Sequence, residues 1–205
     1  MKNATKHADD LKSMHKKLTK EQKPEPRAQQ DPLQALVRGA MSFDVSDHRA
    51  ADAMKFIEKE FTGLNELRVA TELEVQDLLG TRYPAIERRV AMFTAALNKI
   101  FEKEHTLSLD RLRTLSKRDA RQFLRDLADM HPFVEAYVMM FAFDGHAFPM
   151  DDETLSYLKE AKILDDDTSL EDAQKFVEHQ LKADECYELF VGLRRVQWDE
   201  KKRKK

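Results

Sequence analysis

Apolar residues recur at helical spacing along nearly the whole chain, and no stretch of useful length alternates as a strand would. Leu33, Leu36, Val37, Ala40 and Met41 mark one stripe, opened by Asp31-Pro32, a capping residue followed by proline at a first helical position. Ala50, Ala53, Met54, Ile57 and Phe61 mark a second, capped by Ser46 or Asp47 and stopped at Thr62-Gly63. Short helices are predicted over 66–70 and 72–79, ending at Gly80. A turn at Thr81-Arg82-Tyr83-Pro84 then leads to a long amphipathic helix over 85–101 on Ile86, Val90, Phe93, Leu97 and Ile100. Helices over 109–115 and 116–127 follow, the second capped by Ser116. Thr168 and Glu171 have the spacing of a capping box, and the last helices are expected to run to about Trp198.

The segment 127–158 is different in kind. Leu127-Ala128-Asp129-Met130-His131-Pro132 reads as a break, because proline disfavours helix at His131 and suits the first position of the next helix. Residues 133–143 are apolar almost all round, and a helix of that composition belongs in a core. Asp144-Gly145-His146 turns the chain, and Phe148-Pro149-Met150-Asp151-Asp152-Glu153 leads into an acidic helix start.

Order and spacing here resemble the helix-hairpin-helix DNA glycosylases of the endonuclease III superfamily. Leu127-Ala128-Asp129-Met130-His131-Pro132 stands at the place of that family's Leu-Pro-Gly-Val/Ile-Gly hairpin, and Pro149-Met150-Asp151-Asp152-Glu153 at that of its Pro-Val-Asp-Thr-His. Met41-Ser42-Phe43-Asp44-Val45-Ser46-Asp47 matches a Leu-Ser-x-Gln-x-Thr-Asp run, and the register extends over 31–163. The resemblance implies an all-α, two-lobed fold: a six-helix lobe over 31–145 with a degenerate hairpin, and a second lobe from the N- and C-terminal segments, including 146–200.

It also implies a chemistry. Asp151 falls where the family's carboxylate stabilises a cation-like sugar or orients a water while the base leaves. The same residue is equally well placed as a helix N-cap. The amine nucleophile of the family's two-step enzymes falls on Phe133, which forms no Schiff base, so lyase chemistry of that kind is not expected. The hairpin glycines, which let backbone N–H groups approach phosphate, fall on Asp129 and His131, and the gap-filling Gln on Asp44. The expected activity is hydrolysis of the N-glycosidic bond of a damaged base in base-excision repair. The alternative is an inactive descendant that binds DNA or a protein.

Composition limits these readings. With one cysteine, Cys186, the 205-residue chain has no internal disulfide and no four-cysteine iron–sulfur cluster, so no cofactor is expected; Cys186 itself reads as a buried structural thiol. The seven histidines show no paired ligand spacing, so no metal site is expected. No apolar run reaches the length of a membrane span and the Lys-rich start lacks a signal-peptide core, which predicts a cytoplasmic protein, nucleoid-associated if bacterial, and a monomer. Net charge is −3, but residues 1–30 carry +4 and Lys201-Lys202-Arg203-Lys204-Lys205 carry +5, leaving −12 on residues 31–200. An acidic body is awkward for a protein whose partner is duplex DNA, damaged or abasic. Lys117, Arg118, Arg121 and Arg125, just before the hairpin, are the candidate phosphate contacts, together with Met130 and His131 of the hairpin itself. The plainer reading of the stripe is a solvated face partly neutralised by Asp119 and Asp126. Residues 1–30, polar, containing Pro24-Glu25-Pro26 and without sustained periodicity beyond a short helix at Leu11–Leu18, read as a flexible basic arm, and 201–205 as a frayed basic tail.

Overall fold

A computed structural model describes residues 4–127 and 129–203, with side chains described for 5–127 and 129–198. The described residues form eleven α-helices and one 3₁₀ turn, with no strand. In chain order the helices are α1 (Ala4–Gln22), α2 (Pro32–Ser42), α3 (Asp47–Glu60), α4 (Leu64–Val69), α5 (Glu72–Leu79), α6 (Ile86–Glu104), α7 (Lys117–Arg125), α8 (Pro132–Ala142), α9 (Asp152–Glu160), α10 (Leu170–Gln180) and α11 (Ala183–Arg203). The 3₁₀ turn, Asp110–Thr114, precedes α7.

Helix α8 is the axis of the core. Every residue from Phe133 to Ala142 is buried, as its all-round apolar sequence requires. Helix α2 lies directly against it, and Gly39 permits the approach: a Cβ there would stand 3.3 Å from the Tyr137 side chain, closer than packed carbons ordinarily sit. His131 accepts from the Phe133 N–H and Pro132 occupies the first turn, so the break and the start of α8 follow the local sequence. Most helix starts do the same, with Asp31, Ser46, Thr71, Ser116, Asp151 and Ser169 each accepting a backbone N–H. The cap of α10 is Ser169, not the Thr168 expected from its spacing to Glu171. The α11 backbone also continues past Trp198 to Arg203, while Lys204 and Lys205 lie outside the described residues.

The largest correction concerns residues 4–30, residues 1–3 of the expected arm lying outside the described residues. Residues 4–30 are not a flexible arm: α1 packs along α11, with Ala8, Leu11 and Leu18 buried in the common core. His15 meets Glu188 at 2.7 Å, and Gln22 donates to the Gly192 carbonyl at 3.1 Å. Gly192 lets the helices close, since a Cβ there would lie 3.1 Å from that of Leu18. Residues 23–30 are tied down as well, by Gln30 N–H to the Phe141 carbonyl (2.9 Å) and by the ion pair of Arg27 with Asp144 (3.2 Å). The stripe Ala8, Leu11, His15, Leu18 is narrow, and its four positions are diluted by lysines that point outward. Leu11 is fully buried, so Leu11→Ala is expected to cost about 2–5 kcal/mol in urea unfolding, whereas a disordered arm would give no change.

Helices α1 and α9–α11 therefore pack as one lobe and α2–α8 as the other, with α8 buried at the centre of the molecule.

Candidate functional site

The site is built where the end of α2, the start of α9 and the middle of α11 meet. Asp151 is the N-cap of α9: its Oδ1 accepts the Thr154 N–H at 2.9 Å. Its Oδ2 accepts the Asp44 N–H at 2.9 Å and faces Arg194 Nη1 at 3.1 Å. Both side chains of this ion pair are out of solvent, at 0% exposure for Asp151 and 1% for Arg194. Asp44, in the left-handed conformation (φ 52°) that Asp tolerates better than most residues, returns the contact by accepting the Glu153 N–H at 3.1 Å. Burial, with the Asp151 charge beside it, raises the Asp44 carboxyl above the usual range. The loop after α2 and the start of α9 thus clasp each other through two carboxylates.

Two arginines that the sequence reading passed over hold this clasp. Arg194 donates Nε to Asp47 Oδ1 (3.0 Å) and Nη2 to the carbonyls of Ser42 (3.0 Å) and Val45. Arg89 donates to the carbonyls of Ala40 (2.7 Å) and Phe43 (2.7 Å) near the end of α2, and to that of Pro84 (2.6 Å). Tyr83 OH adds a bond to the Met41 carbonyl at 2.6 Å. A helix C-terminus leaves carbonyls without intrahelical donors and is attractive to cations, which is the need these side chains meet. Burial pushes the Arg89 guanidinium down to about 10, still charged at neutral pH. The available signal was a cation inside an apolar stripe: Arg89 follows Ile86 by three, and Arg194 follows Phe190 by four.

Aromatic rings close the neighbouring space. The Phe43 ring stacks on His131 (centroids 4.4 Å apart, planes 2° apart), and the Arg89 guanidinium lies 3.7 Å from the Phe43 centroid on its ring. Phe133 is wholly buried, with Phe43, Tyr137 and Phe190 rings 6.0–6.1 Å from it. The hairpin is uneven in exposure: Asp129 (φ 52°) is exposed, Met130 and His131 are half-buried, and Ala128 lies outside the described residues.

Burial, followed by the nearby Arg88 and Arg89 charges, lowers the His131 pKa below its ordinary 6.5. Its Nδ1 must stay unprotonated to accept the Phe133 N–H. Below about pH 6.5 the unfolded chain therefore takes a proton that the native site resists, so stability falls as pH drops through and below that value. Paired urea titrations of the wild type and His131→Asn, which keeps a capping acceptor, should show a smaller acid loss in the variant.

The cationic stripe of α7 divides in two. Arg121 pairs with buried Glu135 at 2.6 Å and, through both terminal nitrogens, with Glu178 at 3.0 and 3.1 Å. Arg125 reaches Glu135 at 3.2 Å. Lys117 and Arg118 are exposed, with the Lys117 ammonium donating to the Phe143 carbonyl. Neutralisation thus comes from α8 and α10. Asp119 and Asp126 instead bond Ser116 and Gln122. Cys186 is buried in α11, and burial pushes its thiol up to about 12. Among the described residues no cluster of three His, Cys, Asp or Glu side chains is arranged to hold a metal ion, and no helix is long and apolar enough to cross a membrane.

No family model and no curated protein matches the sequence, but solved structures match the fold over nearly its whole length. An 8-oxoguanine glycosylase/lyase of Clostridium acetobutylicum, bound to duplex DNA with cytosine opposite 8-oxoG, superposes with a TM-score of 0.73 at 15% identity, over 97% of this chain and 71% of that one. The 3-methyladenine DNA glycosylase of H. pylori, bound to 1,N6-ethenoadenine, gives 0.68 at 12% identity over 96% and 98%. An endonuclease III trapped covalently on DNA gives 0.69 at 12% identity over 94% and 85%. The chain has the helix-hairpin-helix DNA glycosylase fold. Asp151 begins the helix after the buried one, its carboxylate held by two backbone N–H groups and Arg194, and Phe133 is sealed in aromatic core.

Proposed function

We propose that this chain is a catalytically silent descendant of the DNA glycosylases, using their fold as a DNA-binding module. One observation carries the reading: both oxygens of Asp151 are consumed by two backbone N–H groups and a buried arginine, with no solvent exposure. A carboxylate so neutralised offers little field to a developing sugar cation and has no room to orient a water. In this reading residues 31–145 carry the hairpin. The exposed Lys117 and Arg118 are the phosphate contacts of the α7 stripe, Met130 and His131 the hairpin contacts, and Arg121 and Arg125 serve the protein's own carboxylates. The module acts as a monomer in the cytoplasm, at the nucleoid in a bacterium, without metal or cluster.

A second reading is a hydrolytic glycosylase without lyase chemistry. A cleft of about 180 Å³ favours it: Ser42, Asp47, Tyr137 and Phe190 line it, next to the Arg194 network, and Asp151 would act there once released by Arg194.

Two assays separate them. Wild-type protein is incubated with duplexes carrying 8-oxoguanine, 3-methyladenine or 1,N6-ethenoadenine, and a duplex with an abasic-site mimic is titrated across a salt series. Duplex binding that weakens with salt, with no base released from any lesion, is the expected result. Reproducible base release would establish the second reading, and no duplex binding at low salt would remove DNA from both.

A further inference from the structure

The end of α3 opposite the Asp151 site carries an apolar groove with an acidic rim. Asp47, which contacts Arg194, begins α3, and Phe61 follows its far end, roughly 20 Å away along the axis at 1.5 Å per residue. There α3, α4 and α5 enclose a depression of about 600 Å³, with Phe61, Val69, Ala70 and Leu78 as its apolar lining and Glu60, Glu66, Glu74 and Asp77 as its charged residues. Four carboxylates and no cation line it. The apolar surface extends beyond it: Val69 is 66% exposed, Leu73, one turn before Asp77, is 65% exposed, and Phe56, one turn before Glu60, is 53% exposed. A fourth large exposed side chain, Phe101, is covered by the Arg68 guanidinium 4.1 Å away, so the open ones gather on α3–α5.

Glu66 and Glu74 have local duties, accepting the Thr62 and Thr71 N–H groups. Glu60 and Asp77 have no such bond among the described residues, and neither holds a helix end in place. Large side chains left in water cost free energy that a partner would recover, and a one-signed rim selects that partner by charge.

We propose that this groove docks an amphipathic helix of a partner protein, its apolar side chains on Phe61, Val69 and Leu73 and its lysines or arginines on Glu60 and Asp77. An amphipathic helix in a groove is read through anchors at i, i+3, i+4 and i+7. A nucleic acid is excluded as occupant by the rim, whose carboxylates repel phosphate. The groove is independent of the reading of Asp151 and joins a second binding surface to the first.

The test titrates the ¹⁵N-labelled full chain with a synthetic helix of about four turns, leucines at the anchor spacing and lysines elsewhere. The same helix with glutamates for lysines serves as control, alongside a peptide of residues 196–205. Expected are amide shifts confined to α3–α5, affinity lowered about tenfold or more by Glu60→Lys with Asp77→Lys, and preference of that double variant for the glutamate helix. Both substituted positions are exposed, so the folded spectrum is retained. Equal affinity of wild type and variant, shifts on other elements, or equal binding of the glutamate helix by the wild type would overturn the proposal. Stronger binding of the 196–205 peptide, accompanied by dimerisation, would also overturn it, by making a second copy the occupant.

Discussion

Arg194→Met is expected to destabilise the protein by about 3–5 kcal/mol, the loss characteristic of stranding one member of a buried ion pair. Without the guanidinium, Asp151 remains charged in the core with only two N–H donors, and the Ser42 and Val45 carbonyls lose theirs. Asp151→Asn is expected to be costly too, because the amide presents donors where Asp44 N–H and Arg194 also donate. Combining the two should recover part of the loss, since neither change then faces an unmatched charge, and a double-mutant cycle by urea unfolding reads the coupling directly. Strict additivity would mean that Arg194 and Asp151 do not share the pair seen here. The cycle also governs any catalytic test. An inactive Asp151→Asn protein says nothing of chemistry unless its fold is shown to survive.

The fold was legible from sequence to the degree that local signals carry it. Caps at Asp31, Ser46 and Ser116, the Pro132 break and the all-apolar run of α8 are local, and each stands where its chemistry demands. Asp151 was legible as a candidate because its place is set by spacing from the break. What its carboxylate touches was not, because Asp44 lies 107 residues away and Arg194 lies 43 away, and only tertiary packing brings them together. The full length of α1 and its docking escaped for a related reason, only Leu11–Leu18 reading as helix. Its stripe is too narrow to call for burial until α11 supplies the matching face, with Gly192 opposite Leu18. For the α7 stripe the sequence offered only the nearby Asp119 and Asp126 as counter-charges, whereas Arg121 and Arg125 pair with Glu135 and Glu178, which are distant in the chain or sit on an otherwise apolar helix.

Phe133 supplies the other large expected effect. Its ring is fully buried among Phe43, Tyr137 and Phe190, so Phe133→Ala is expected to cost about 3–5 kcal/mol, from lost apolar transfer plus the cavity left behind. More telling is Phe133→Lys, which introduces an amine able to form a Schiff base. If the position faced an open cleft, the amine would reach an abasic sugar and borohydride would trap a covalent protein–DNA adduct. The position faces aromatic core instead, where burial disfavours an ammonium. The expected outcome is therefore a strongly destabilised protein with no trapped adduct, read by urea unfolding and by gel mobility after reduction. A stable Phe133→Lys protein that traps DNA would mean the core opens on binding, and would return Asp151 to a catalytic role. Phe133 packs against Phe43 and Phe190, the loop after α2 is bonded to the start of α9, and Arg194 of α11 supplies the charge that lets Asp151 stay buried beside it.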